Sequence, residues 1–310
     1  MAMTTTSKNE NGRRAGGAVL VSGASTGIGR ATAITLAANG WTVYAGVRDL
    51  TTAPTAPTAP TAACPGVIVP IELDVTSPAS ITQAIKTVAA DLGHAPLSAL
   101  VNNAGVGQLA PMRAVALADL RSVLEVNVVG SVALAQAALP LMAHGGRLVF
   151  LGSVGDRLTM PYGGPLTSSK WAVASIAEAF RLELKADGID VVIVEPGSIH
   201  TPAVDKVEAS AAQTVASITG SDPELARRFA SAAAVAIANE RQGSRPEVVA
   251  ATILQALTSR RPRTRYLTGR HARLLATFAT VLPDRAFDRL RLQLFHQSNT
   301  HPPTADQERR

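Results

Sequence analysis

AVLVSGASTGIGRATAITLAANGWTVYAGVRD, residues 18–49, is the stretch whose reading decides the fold. It opens on an apolar run at 19–22, short enough for a buried strand, and closes on a second at 42–47 with β-branched and aromatic side chains. Between them, residues 28–39 repeat apolar positions at helical spacing, and Gly40 stands where glycines end helices. Strand, turn, helix and strand in that order make a βαβ unit with parallel strands. The turn carries Gly23, Gly27 and Gly29, together with Ser25, Thr26 and Ile28. With no side chains in the way, backbone N–H groups at the helix N-terminus can approach a pyrophosphate. A glycine triplet alone marks a tight turn; the strand before it and the helix after it supply the context of a dinucleotide site.

The residue just past the second strand reports on the ribose. An acid there would hydrogen-bond the 2′-hydroxyl, whereas Arg48 pairs with a 2′-phosphate, so the expected cofactor is NADP(H) in preference to NAD(H), with Arg30 as further help. The competing reading is that Arg48 caps an exposed strand end. Residues 67–73 then read as a third strand delivering Asp74 and Val75 to the edge where ligands bind in open parallel sheets, with Asp74 placed to reach an adenine amino group. A helix over 78–92 leads to a short strand at 99–101 and to Asn102, Asn103, Ala104 and Gly105. Small residues there permit close approach to a ribose, and an Asn amide can tie adjacent strands.

Residues 114–142 form a long helical stretch with Asn127 set among apolar neighbours, a costly place for an amide without a purpose. The strand at 147–151 delivers Ser153. Pro165 suits the start of the next helix, 166–186, which carries Lys170 and is stopped by Gly188. One turn before Lys170, facing the same way, is Leu166. A strand at 190–195 runs into Pro196, Gly197, Ser198, Ile199, His200 and Thr201. Residues 246–259 read as a helix and 265–267 as a last strand.

These segments, SGASTGIG at 22–29, NNAG at 102–105, Asn127, Ser153, Lys170 and PGSIHT at 196–201, in this order and spacing, resemble the classical short-chain dehydrogenase/reductase family over about 17–205. The resemblance implies an α/β fold, a Rossmann-type doubly wound parallel sheet of about seven strands over residues 17–270. It implies hydride transfer between a nicotinamide dinucleotide and a carbonyl or carbinol carbon. On the matching positions Ser153 orients the substrate, Lys170 binds the ribose and lowers the pKa of the proton donor, and Asn127 holds a water. Ile199 and Thr201 contact the nicotinamide carboxamide, in a pocket shaped by Pro196 and Gly197. Members similar to retinol and hydroxysteroid dehydrogenases suggest a small apolar carbonyl or alcohol substrate, steroid- or retinoid-like, and a homodimer or homotetramer.

Position 166 departs from that pattern. The family's proton donor there is a tyrosine, and leucine can neither donate a proton nor bond an alkoxide. Losing a general acid costs about 10²- to 10⁴-fold in rate. The alternative to an active enzyme is therefore a catalytically impaired dinucleotide-binding protein of the same family. Tyr162, ahead of Gly163 and Gly164, is the nearest phenol and a candidate substitute donor, or else its ring lines the substrate site.

The whole chain of 310 residues, 46% hydrophobic, is long enough to bury one large α/β core. Residues 1–16 are polar and read as a disordered tail, and TTAPTAPTAPTAACPG at 51–66 as a low-complexity surface loop where a doubly wound fold has its second helix. The single cysteine, Cys64, permits no internal disulfide and points to a reducing, cytoplasmic setting. The six histidines show no close pair at ligand spacing, so no metal is expected. Net charge is +6 with arginine concentrated at 260–291, but no aromatic-interleaved basic groove accompanies it, so no nucleic-acid partner is expected. The N-terminus lacks an apolar signal core, and no run approaches the roughly 18 apolar residues of a spanning helix. Residues 271–310 form an extension whose two basic amphipathic helices, split at Pro283, pack over the substrate pocket, against a partner subunit or on a membrane surface.

Overall fold

The computed structural model describes residues 16–55 and 66–297. The N-terminal tail up to residue 15, most of the Thr-Ala-Pro loop with Cys64, and the tail beyond 297 lie outside the described residues. Seven parallel strands form one sheet in the order β3-β2-β1-β4-β5-β6-β7. They are β1 (Ala18–Ser22), β2 (Thr42–Val47), β3 (Val67–Glu72), β4 (Leu97–Asn102), β5 (Met142–Leu151), β6 (Asp190–Pro196) and β7 (Arg265–Thr268). The order reverses between β1 and β4, so connections leave in opposite directions and open a crevice at the carboxyl ends of these strands.

Period-two alternation divides the core. Val19, Val21, Val43, Val101 and Val192 face one side, under α1 (Gly27–Ala38) and α8 (Pro246–Thr258). Leu20, Tyr44, Leu100, Leu148 and Ile193 face the other, under α2 (Pro78–Leu92), α4 (Gly130–Ala138) and α5 (Gly164–Glu183). Both layers are buried, as expected of parallel strands covered on both faces.

Three sequence expectations need correction: the start of β5, the single helix at 114–142, and the absence of a run long and apolar enough to span a membrane. β5 begins at Met142, not Arg147, and pairs through a register shift with β4, because Gly145 and Gly146 let the chain bend there. The helix at 114–142 is instead α3 (Leu117–Leu124), a π turn (Glu125–Val129), α4 and a 3-10 turn (Leu139–Leu141), continuous over Leu117–Leu141. This stretch, with mean hydropathy 1.5, is long and apolar enough to cross a membrane by length and composition alone. Leu134, Ala135 and Ala138, fully buried under the sheet, mark it as a core helix.

Past the sheet, α6 (Ala203–Thr219) and α7 (Pro223–Arg241) form a helical hairpin around Phe229, with Tyr162 packed against it. The extension folds as α9 (Ala272–Val281) and α10 (Asp284–Leu294), split at Pro283. Ala276 and Phe287 pack on Val154 and Leu158, and Arg291 donates to the carbonyl of Thr159 at 2.7 Å. The extension thus sits on the segment between Ser153 and Tyr162 of its own chain.

Candidate active site

The crevice begins at the glycine turn. Gly23 and Gly27 have φ of 65° and 54°, values that favour glycine. A Cβ on Gly23 would stand 2.9 Å from the Cα of Ala104, and one on Gly27 would stand 3.2 Å from the side chain of Thr201. Gly29 has its would-be Cβ against the carbonyl of Gly23 and the amide of Asn103. The turn, the 104 loop and the loop after β6 therefore close on one another. Ser22 ties two of them, its Oγ accepting from the N–H groups of Asn103 and Ala104, each at 3.0 Å. The strand-tying amide is Asn103, whose Nδ2 donates to the carbonyls of Ser22 and Gly23 at 2.9 and 3.1 Å. Asn102, at the carboxyl end of β4, keeps both amide atoms buried without a hydrogen-bond partner in the protein.

Arg48 is exposed at the end of β2. The acid beside it, Asp49, has one carboxylate oxygen engaged. It caps the 3-10 turn Leu50–Thr52, accepting from the N–H and hydroxyl of Thr51 at 2.9 and 2.7 Å. Across from Arg48, Asp74 accepts from the backbone and hydroxyl of Thr76; these bonds, and then the charge of Arg48, hold its carboxyl below the usual range. Val75 walls this end and sets the close approach of Gly130, whose Cβ would meet the Val75 carbonyl at 2.8 Å.

At the other end, Ser153 caps the turn Val154–Asp156 by accepting from the N–H of Gly155 at 3.0 Å. Lys170 reaches back from α5 to donate to the carbonyl of Leu151 at 2.8 Å. Lys170 is thereby anchored at the end of β5, on the carbonyl two residues before Ser153. Burial depresses the Lys170 ammonium to about 8, against an opposing pull from Asp156. Asn127 explains the π turn. Its amide bonds Val106 through both N–H and carbonyl, at 2.8 and 3.0 Å, and donates to Ser169 Oγ at 2.9 Å. Ser169, fully buried, donates in turn to the carbonyl of Leu166 at 2.6 Å. No local pattern in the sequence marked Ser169 for this role.

Tyr162 has φ 61°, and its hydroxyl donates to Gln297 at 3.2 Å while its ring lies edge-on to Phe229. The structure therefore joins the phenol to the extension and α7. Tyr162→Phe should lower stability by about 1 kcal/mol, one hydrogen bond, and leave turnover unchanged; a large loss of kcat would make the phenol a donor after all.

Gly197 lies against the backbone of Arg270, and Ile199 donates its N–H to Glu240 at 3.1 Å. Ser244 exchanges backbone hydrogen bonds with Ser198 and His200, each at 2.9 Å, so this segment straps the loop after Pro196. The Glu240 strap is long-range and left no trace in the sequence pattern.

A glycine turn in the confirmed strand–turn–helix context, closed on loops carrying a buried unpartnered amide, fits a dinucleotide. The sequence pattern of the family described as short chain dehydrogenase matches residues 17–212. The chain belongs to the short-chain dehydrogenase/reductase family. It is 30% identical over 277 residues to an NADPH-dependent 3-dehydrocapnine reductase of Ornithobacterium rhinotracheale, covering 87% of this chain and 94% of that protein. It is 34% identical over 258 residues to human 17-beta-hydroxysteroid dehydrogenase type 1, covering 81% and 76%. A crystal structure of a short-chain dehydrogenase from Streptomyces avermitilis superposes with a TM-score of 0.65 at 27% identity, covering 91% and 95%. As a member of this family the chain is an oxidoreductase of alcohol and ketone groups with a nicotinamide cofactor.

Proposed function

We propose that this short-chain dehydrogenase/reductase uses NADP(H) in preference to NAD(H) and acts on an apolar alcohol or ketone of steroid or retinoid type. The observation that carries the cofactor preference is the pair at the end of β2: Arg48 is exposed while Asp49 is bound into its own cap. A cation that could pair with a 2′-phosphate thus stands open, and the neighbouring acid has one carboxylate oxygen committed to its own cap. The name of the Ornithobacterium reductase supports this reading. Exposed Val106, beside Asn127, and Met112, against Gly164, support an apolar substrate, as does the likeness to the human hydroxysteroid enzyme.

In this reading Gly23, Ser25, Thr26, Gly27, Ile28 and Gly29 hold the pyrophosphate, and Arg48 the 2′-phosphate. Asp74 and Val75 flank the adenine, Asn102, Ala104 and Gly105 the adenine ribose, and Lys170 the nicotinamide ribose. Pro196, Gly197, Ile199 and Thr201 enclose the carboxamide. The bound cofactor supplies the hydride; Ser153 bonds the substrate oxygen, and Asn127 holds a water. Arg48→Ala should weaken NADPH binding by about 10- to 100-fold, the worth of a charge-assisted contact, and leave NADH unchanged in a fluorescence titration. Tighter NADH than NADPH in the unaltered chain would refute the preference.

Leu166 favours a second reading, a dinucleotide-binding protein with impaired chemistry. Binding without turnover on any ketone would decide for it. Exposed Trp171 and Leu182 on α5 and Val129 beside α4 support association into a homodimer or homotetramer. The single cysteine supports a reducing, cytoplasmic setting.

A further inference from the structure

We propose that Lys170 is the proton donor of this site, its ammonium taking the place left without a phenol at 166 and protonating the substrate oxygen directly. The inference rests on the oxidoreductase reading above. Leu166 and Lys170 lie one turn apart on α5. The lysine's ammonium is anchored at the end of β5 by its bond to the carbonyl of Leu151, two residues before Ser153. That one donated bond leaves two of its three N–H groups to donate elsewhere. The nearest other phenol, Tyr162, is held by Gln297 and Phe229. Thr167 is buried with its hydroxyl on Gly163 and Thr159, and Ser168 bonds the carbonyl of Pro165. Leucine at 166, half-buried, adds apolar surface beside the lysine where a phenol would add a hydroxyl.

The charge environment suits the role. Crowding by packed atoms brings the Lys170 ammonium down to about 8, close to working pH, where an acid is both protonated and ready to give up its proton. The titratable group facing it is Asp156, from the turn Val154–Asp156, whose own carboxyl is pushed up by burial; behind Asp156 stand Glu195 of β6, Arg157 and Arg265 of β7. The carbonyl of Leu151 and the side chain of Leu166 bring no charge.

The step balances. A hydride supplied by the bound cofactor, which would be oxidised, would form a C–H bond at the carbonyl carbon, and the C–O π pair would move onto oxygen. An N–H bond of Lys170 breaks, an O–H bond forms, and the product is an alcohol beside a neutral amine. Lys170 retains some exposure, so water returns the proton. Oxidation of an alcohol runs through the reverse, with the amine as base.

The test uses the full chain in three measurements. The chain has five lysines, so competitive amine labelling read by mass spectrometry follows each across pH. Lys170 should show its half-point near 8. Reductive kcat on a ketone panel should fall as pH rises through the Lys170 half-point. Lys170→Arg keeps a cation for the ribose but cannot release a proton, so NADPH affinity should stay within about tenfold while kcat falls about 10²-fold or more. In a Leu166→Tyr background the phenol donates, kcat rises, the alkaline limb leaves the Lys170 half-point, and Lys170→Arg costs less than about tenfold. An equal loss in both backgrounds, or an alkaline limb that ignores the labelling half-point, would overturn the proposal. So would NADPH binding without turnover in the unaltered chain when Leu166→Tyr turns over; that result leaves the oxidoreductase reading standing. Failure to bind NADPH at all removes both.

Discussion

Gly29→Ala is expected to abolish NADPH binding in a fluorescence titration, a loss of about 10²-fold or more, while the protein still folds. The new methyl would run into the carbonyl oxygen of Gly23 and Nδ2 of Asn103, both parts of the knot that holds the turn. Neither is the free end of a flexible side chain. The backbone carbonyl must move, and with it the first N–H groups of α1, whose contacts with a bound phosphate are worth about 1.5–3 kcal/mol each. Losing two of them passes 2.7 kcal/mol, a hundredfold in affinity. The cost in stability is that of overpacking, about 1–3 kcal/mol. Gly220→Ala is the control, since a methyl there meets nothing within 4 Å. Gly29→Ala binding NADPH as well as Gly220→Ala would mean that the turn is not the phosphate cradle.

That turn was legible because everything it needs is local. Its strand, its helix and its glycines fall within residues 18–49, and β2 runs over Thr42–Val47 as its β-branched residues indicate. α2 is likewise bounded by its own signals, Ser77 accepting from Ser80 and Gly93 with φ 58°. What the sequence could not display is contact between distant positions. Asn127 announces a purpose but not its partners, Val106 and Ser169, and the π turn beside them has the same apolar spacing as plain helix. Tyr162 looked free to swing on two glycines; its hydroxyl is instead bound by Gln297, at the far end of the extension. Leu166 is the opposite case, a substitution visible in the sequence alone, whose chemical outcome depends on the surroundings of a different residue, Lys170.

The same limit hid the cluster beneath Ser153, which sets the last prediction. Asp156 and Glu195 have fully buried side chains. Glu195 accepts a two-pronged bond from Arg157 at 3.0 and 2.9 Å and a further one from Arg265, which also bonds Glu178 at 3.0 Å. With Asp156 neutral, two arginines balance Glu195 and Glu178. Ionising Asp156 would add an uncompensated buried charge beside Glu195. Burial, then a hydrogen bond to Glu195, then that residue's charge, accordingly push the Asp156 carboxyl far above the usual range, and the nearby arginines pull back only in part. A carboxyl whose folded-state pKa exceeds its unfolded one contributes stability that is complete below about pH 4 and is lost as pH rises through the folded value. Each unit of the difference is about 1.4 kcal/mol. Asp156→Asn keeps a neutral donor toward Glu195 and removes the titration. Its Tm should lie near that of the unaltered chain at pH 4 and rise above it progressively toward pH 8, by several kcal/mol in stability if the shift spans several units. Arg157→Met should do the reverse, leaving Glu195 short of a partner at a cost of about 3–5 kcal/mol. Parallel Tm profiles for Asp156→Asn and the unaltered chain across that range would show that Asp156 is ionised in the fold and that the two arginines carry both carboxylates.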